Sequence, residues 1–220
     1  MYIPSAFLET RLEVMHGLIR SHPLAWLITG GAGGLAATPI PFLVDPGAGA
    51  HGTLRGHMAR ANGQWHELEG GAECLAVFQG EHGYVTPSWY PSKQDTHKVV
   101  PTWNYITVQA WGRPAVIEDP VWLRRLLEDL TGAQERRRPQ PWSPSDAPED
   151  YLATMMQGIV GLEIPIARIE GKWKLSQNRE DADRGGVIQG LRSPEDPHRD
   201  QALADRVEER LKPSGDQSPR

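Results

Sequence analysis

The stretch Thr53-Leu54-Arg55-Gly56-His57-Met58-Ala59-Arg60-Ala61-Asn62-Gly63-Gln64-Trp65 decides how this chain is read. It begins as an alternating, strand-like segment and gathers Arg55, His57, Arg60 and Asn62 around Gly56. Guanidinium forks, an imidazole donor and a glycine that lets a ligand approach the backbone suit a phosphate group. The chain carries 23 basic and 28 acidic residues, a net charge of −5, so this basic cluster is a local feature. The alternative is a solvated turn bearing two surface arginines.

Around that stretch the chain punctuates itself at short intervals. Strand-like pieces lie at 24–29, 38–44, 52–56, 74–79, 102–113, 115–118, 163–169 and 172–176, separated by Gly, Pro, Asp and Asn clusters. This is the rhythm of an antiparallel barrel or sandwich. Apolar residues at helical spacing predict a helix over 5–20, from Phe7 to Ile19, and another around Trp122–Leu130, opened by Asp119-Pro120. A short helix is expected near 151–156. The segment 132–149 contains Arg136-Arg137-Arg138 and four prolines, and reads as an exposed connection. The fold class is mainly β (α+β), with a few flanking helices.

At 220 residues the chain can build one sizeable core. We place a folded domain at 1–192 and a flexible, charged C-terminal tail at 193–220, where Leu203, Val207 and Leu211 form only a thin apolar stripe. No apolar run approaches the ~20 residues that cross a bilayer. The N-terminus lacks the pattern of a secretion signal. The lone Cys74 opens an apolar run and reads as a buried, inert thiol. Together these point to the cytoplasm and to no membrane.

Gly31-Ala32-Gly33-Gly34-Leu35-Ala36 matches the dinucleotide fingerprint G-x-G-x-x-A in letters only. That fingerprint works when a helix N-terminus follows and holds a pyrophosphate. Here Pro39 and Pro41 follow, so the segment reads as a hairpin connection. His51, His57 and His66 share no ligand spacing with an acid or cysteine, so no metal site is expected. No Gly-x-Ser-x-Gly elbow is present, and no catalytic residue is assigned.

Eight tryptophans against three phenylalanines are unusual. Trp offers a flat apolar face and one donor, which serves cores and ring-shaped ligands alike. Two aromatic-basic stretches add to the case for an anionic, ring-bearing ligand. One runs from Tyr84-Val85-Thr86-Pro87-Ser88-Trp89-Tyr90 through Lys98 to Val100-Pro101-Thr102-Trp103-Asn104-Tyr105. The other is Glu170-Gly171-Lys172-Trp173-Lys174-Leu175-Ser176-Gln177-Asn178-Arg179.

These words occur in order with Met1-Tyr2-Ile3-Pro4, His22-Pro23-Leu24 and Leu54–Asn62, and over residues 1–192 the chain resembles the PaiB-like, FMN-binding negative transcriptional regulators. One departure is Gly63, where the family pattern reads Asn-Pro. The resemblance implies an FMN-binding split β-barrel, a homodimer with flavin at the subunit interface, and FMN as cofactor. By the same analogy Arg55, His57 and Arg60 face the FMN phosphate, while Gly56, Met58 and Asn62 shape the pocket. Lys98 and Trp103 are further candidates, and Lys174 and Gln177 reach the cofactor from the partner subunit. A regulator implies DNA as a partner, yet no helix-turn-helix pattern or basic recognition helix is evident. The alternative function is a flavin-dependent oxidoreductase related to pyridoxamine-phosphate oxidases and flavin reductases.

Overall fold

The computed structural model describes residues 1–211. Nine strands and six helices are present among them: β1 Leu8–Glu9, α1 Leu12–Ser21, β2 Leu24–Gly31, β3 Gly34–Pro41, β4 Leu43–Asp45, β5 Thr53–Ala59, β6 Cys74–Val85, α2 Ser92–Thr96, β7 Thr102–Gly112, β8 Ala115–Ile117, α3 Pro120–Glu135, α4 Glu149–Gln157, β9 Ile159–Lys174, α5 Asp181–Arg192 and α6 Gln201–Glu209. The sheet runs β3-β2-β6-β7-β9-β5-β4, with β1 and β8 also pairing with β9. Every pairing whose register is resolved is antiparallel. The path has two ends, β3 and β4, so the sheet is not closed.

Two compact units divide the chain. One comprises Arg11–Phe78 and Val108–Glu170; the other comprises Met1–Thr10, Gln79–Thr107 and the segment from Gly171 onward. The first unit buries Leu27, Ile40, Phe42, Leu54, Phe78, Leu126 and Leu162 almost completely, with Phe42 and Phe78 edge to face at 6.3 Å. Alternation decides which side chains enter that core: on β2, Ala25, Leu27 and Thr29 are buried while Leu24 and Trp26 point out. β2 and β3 form a hairpin in which Gly31 pairs with Gly34 around Ala32-Gly33. Gly34 has φ +100°, a conformation glycine alone adopts without strain. The glycine run is thus a turn, as its prolines predict.

The second unit packs α5 and α6 together, burying Val187, Leu191, Leu203, Ala204 and Val207 completely. Here the structure departs from the sequence reading. Residues 193–211, read as the start of a mobile charged tail, instead carry α6, capped by the Asp200 carboxylate accepting from Leu203 N at 2.9 Å. Three small or medium apolar side chains suffice because α5 offers a matching face. Residues 212–220 of that expected tail lie outside the described residues.

Two further differences have a long-range cause. The helix predicted over 5–20 is a 3-10 turn at Ser5–Phe7, then β1, then α1. Pairing of Leu8 and Glu9 with Lys172 and Gly171 of β9 overrides the local helical period. The two strands predicted at 163–169 and 172–176 are one continuous strand, β9, which Gly171 does not interrupt. No helix among the described residues is long and apolar enough to cross a membrane.

Candidate functional site

β5 lies between β4 and β9, with Arg55 opposite Leu43 and Glu163, and His57 opposite Gly161. Period-2 alternation sends Leu54, Gly56 and Met58 into the core and leaves Arg55 and His57 on the other face. Gly56 is small for a packing reason: an added Cβ would lie 2.8 Å from the Phe42 ring and 3.1 Å from the Pro41 carbonyl oxygen. Met58 is 4% exposed and belongs to the same core.

Helix α3 stands over the Arg55/His57 face. Asp119 caps it by accepting from Val121 N, and Pro120 occupies its first turn. Trp122 seats its ring against Gly161, the residue paired with His57; a Cβ there would fall 2.3 Å from the indole. One turn beyond the buried Leu126, Asp129 Oδ2 meets Arg55 Nη1 at 3.0 Å.

Two side-chain nitrogens on this face are left over. Arg55 Nε and His57 Nδ1 are both buried, and neither has a hydrogen-bond partner among the described residues. Burial also holds the His57 imidazole below its ordinary pKa, since desolvation disfavours the charged ring. Buried polar atoms without partners are uncommon and costly in a folded chain. Two of them stand at positions i and i+2 of one strand, one on a permanent cation, so this face of β5 keeps hydrogen-bonding capacity that the described residues do not use.

Arg60 and Asn62 are held differently. The Arg60 guanidinium meets Glu118 at 2.5 Å and donates to the carbonyls of Gln157 and Ile159 at 3.0 and 3.3 Å. Its own carbonyl accepts from Trp65 Nε1 at 2.9 Å. Asn62 Oδ1 accepts from Gln64 N and Nδ2 donates to Thr38 Oγ1, both at 3.1 Å. Buried Gln64 then donates to Leu27 O and Thr29 Oγ1 at 3.1 Å, and Thr29 donates to Glu67 at 2.5 Å. This network ties the loop after β5 to the β2–β3 hairpin.

The remaining four residues predicted from sequence belong to the other compact unit. Lys98 is exposed in the loop after α2. Lys174 Nζ donates to Thr102 Oγ1 and to the Trp103 carbonyl at 2.6 Å, which brings Lys174 and Trp103 together. Burial lowers the Lys174 pKa, with Lys172 and Arg179 adding repulsion. Gln177 closes its own turn: Oε1 accepts from Leu175 N at 2.6 Å and Nε2 donates to Trp173 O at 2.5 Å. Sequence reasoning missed Asp129 and Trp122, because an amphipathic helix marks its buried face and says nothing of which strand residues its half-exposed positions meet.

An open antiparallel sheet of this order, with its flanking helices, is the split-barrel fold of flavin-binding proteins. The comparisons make this specific. Residues 1–168 match the family described as "Putative FMN-binding domain", and the chain belongs to that family. It is 32% identical to the protease synthase and sporulation protein PAI 2 of Bacillus subtilis, over 96% of this chain and 99% of that protein. It is 35% identical to an uncharacterised protein of Emericella nidulans, over 87% of this chain and 90% of that one. Among solved structures it shares the fold of the conserved hypothetical protein Rv2991 from Mycobacterium tuberculosis, with TM-score 0.55, 14% identity, and coverage of 82% and 94% of the two chains. The FAD and heme binding protein from Mycobacterium smegmatis is similar at TM-score 0.54 and 18% identity, covering 76% and 73%. FMN is the cofactor of the family, and the orphaned donors on β5 fit its phosphate.

Proposed function

We propose that this chain is a cytoplasmic, homodimeric FMN-binding protein that acts as a negative transcriptional regulator. The observation that carries the flavin half is the pair of buried, unpartnered donors, Arg55 Nε and His57 Nδ1, on one face of β5. Arg55 meets the phosphate through its fork, in exchange for part of its contact with Asp129, and His57 donates beside it. Arg60 and Asn62 hold the adjacent loop at fixed geometry, and Arg60 reaches a ligand only by letting Glu118 go. Bound FMN supplies one- and two-electron redox chemistry. The residues of this chain bind and orient it, and the burial around His57 keeps water from competing for the phosphate.

A dimer is supported by the outward face of the β2–β3 hairpin. Leu24, Trp26 and Leu35 are 60%, 50% and 86% exposed, share one face with Ala37 and Pro39, and have no charged neighbour on those two strands. An apolar patch of that kind is suited to a second copy. Light scattering on the purified protein tests this, with Trp26→Glu expected to shift it to monomer.

The regulatory half rests on the resemblance to the PaiB-like negative transcriptional regulators, and we place the DNA contact outside helices α3 and α6 of this chain. The exposed residues of α3 include Glu128 and Asp129 beside Arg125, and those of α6 include Asp205 and Glu209, so neither helix presents a basic face to a phosphate backbone. Control is then exerted through a partner or through DNA contacts weaker than groove reading.

The deciding experiment is an absorption titration with FMN on the native protein and on Arg55→Ala with His57→Ala. Flavin bands that stay with the native dimer and weaken about 10–100-fold in the double variant support the reading, as expected for charge-assisted hydrogen bonds. A protein that ignores added FMN overturns it. Rapid bleaching by NADH or NADPH with turnover in air marks an oxidoreductase instead. A labelled promoter fragment that fails to bind at low salt, with or without FMN, removes the direct DNA role.

A further inference from the structure

Apart from the β5 cluster, in the other compact unit, lies an open cleft of about 600 Å³ lined by His82, Gly83, Tyr84, Trp103, His198, Arg199 and Asp200. Its volume is within the range of small-molecule sites. Aromatic rings dominate it. The centroids of His82 and Trp103 are 6.2 Å apart at 32°, those of Tyr84 and Trp103 are 6.3 Å apart at 73°, and Tyr84 and His198 lie 4.9 Å apart. Trp103 nevertheless remains 53% exposed, so one indole surface is available for stacking. Four rings gathered around open space form a platform for a flat ring.

The wall of this cleft is fixed by the fold. The Asp196 carboxylate accepts from Trp89 Nε1 at 2.9 Å and from His198 N at 2.8 Å, so the turn that presents His198 and Arg199 is anchored at its base. Arg199 N donates to Asp196 O, and Asp200 N to Leu191 O. Helix α6 is fastened to β6 by Arg206 on Glu81 at 3.0 Å and by Leu203 over Gly83, where a Cβ would come within 2.8 Å. The Asp200 carboxylate is engaged as the α6 cap. The Arg199 guanidinium is exposed and makes no ion pair among the described residues, which leaves one cation beside the rings.

We propose that this cleft binds a second, small nucleotide: a planar nitrogen heterocycle stacks on Trp103 between His82 and Tyr84, and its phosphate meets Arg199. Three of the seven lining residues lie beyond residue 168, outside the part of the chain matched to the flavin-binding family. The proposal does not depend on flavin binding at β5.

The test is titration of FMN-saturated protein with AMP, followed by calorimetry and tryptophan emission, with adenosine and inorganic phosphate as separate arms. AMP is expected to bind more tightly than either arm. Trp103→Ala should weaken it about tenfold or more, as loss of a stacking platform does. Trp103→Phe should restore much of the loss, and Arg199→Ala should reduce AMP binding to the level of adenosine. Circular dichroism on each variant confirms that the fold is retained, and Arg55→Ala should leave AMP affinity unchanged. Three outcomes overturn the proposal: no AMP binding, AMP binding indifferent to both Trp103→Ala and Arg199→Ala, or stoichiometric displacement of FMN by AMP. Displacement identifies the cleft as the flavin's own seat. Because flavin occupancy is read separately from its absorption bands, a failure of FMN binding and a failure of this site give different results.

Discussion

Arg55 Nη1 lies 3.0 Å from Asp129 Oδ2, while Nε of the same guanidinium is buried without a partner. The pair leaves the cation half satisfied. Asp129 is 50% exposed, so solvent screens the attraction and the bridge contributes little to stability, within about 1 kcal/mol. Its consequence for binding is larger, because a carboxylate on Arg55 competes with any incoming phosphate.

Asp129→Asn should therefore tighten FMN binding by roughly 3–10-fold at low ionic strength while leaving the melting temperature nearly unchanged. The gain should shrink as salt rises, since screening weakens the competitor in the native protein as well. Flavin fluorescence quenching in two salt concentrations reads both effects. An unchanged or weaker affinity in the variant means that the phosphate does not approach Arg55.

His57 makes both stability and affinity depend on pH. Its folded pKa lies below the unfolded value of about 6.5, so the unfolded chain takes up the proton first as the solution is acidified. Stability from the neutral ring is fully present above pH 6.5 and is lost as pH falls toward the folded pKa. A phosphate placed beside Nδ1 reverses the preference and favours the protonated ring, so FMN binding at pH 6 should be accompanied by proton uptake. Calorimetry in two buffers of different ionisation enthalpy measures that uptake. His57→Gln should abolish it and flatten the loss of stability between pH 7 and 5.5.

Cys74 is 3% exposed, and burial pushes its thiol to about 12. The thiolate is the nucleophile, so a thiol reagent at pH 8 should leave the native protein unmodified over hours and label it stoichiometrically in denaturant. Rapid labelling of the native chain would show that the start of β6 opens readily.

Much of this was legible in the letters. Gly31–Ala36 announced a hairpin because Pro39 and Pro41 forbid a helix start, and Arg55 and His57 fall on one face of β5 by strand alternation alone. Recognition of the family added the split barrel, which spacing does not distinguish from a sandwich. What the sequence hid was long-range. Helix α5 is diluted by Gly185, Gly186 and Gly190, and the last two are glycine because Trp89 packs where their side chains would be. A glycine-poor reading of helix propensity discards such a segment before its packing partner is known. Asp129 was invisible for the same reason, since its role exists only once α3 is laid over β5.

Gly56 offers a direct check on why the strand carries glycine at its centre. A Cβ there would meet the Phe42 ring at 2.8 Å and the Pro41 carbonyl at 3.1 Å, and a ring can shift more readily than a strand. Gly56→Ala should cost about 1–3 kcal/mol, the range for overpacking a filled core. Phe42→Leu in the same chain should recover part of that cost, giving a favourable coupling in a double-mutant cycle. Purely additive losses would mean that Gly56 is required for its backbone instead.

The sharpest consequence of the C-terminal helix concerns Leu203. It is fully buried, it lies over Gly83 of β6, and with Ala204 and Val207 it forms the apolar face that α6 presents. Leu203→Ala should cost about 2–5 kcal/mol, as core Leu truncations do. A residue in a solvated tail would cost within about 0.5 kcal/mol. Urea denaturation of the two proteins distinguishes these outcomes, and a preserved m value would show that stability, and not the extent of unfolding, has changed. Because the turn that leads into α6, His198 to Asp200, lines the aromatic cleft, the same substitution should weaken AMP binding without altering the FMN absorption bands, separating the contribution of this helix from that of β5.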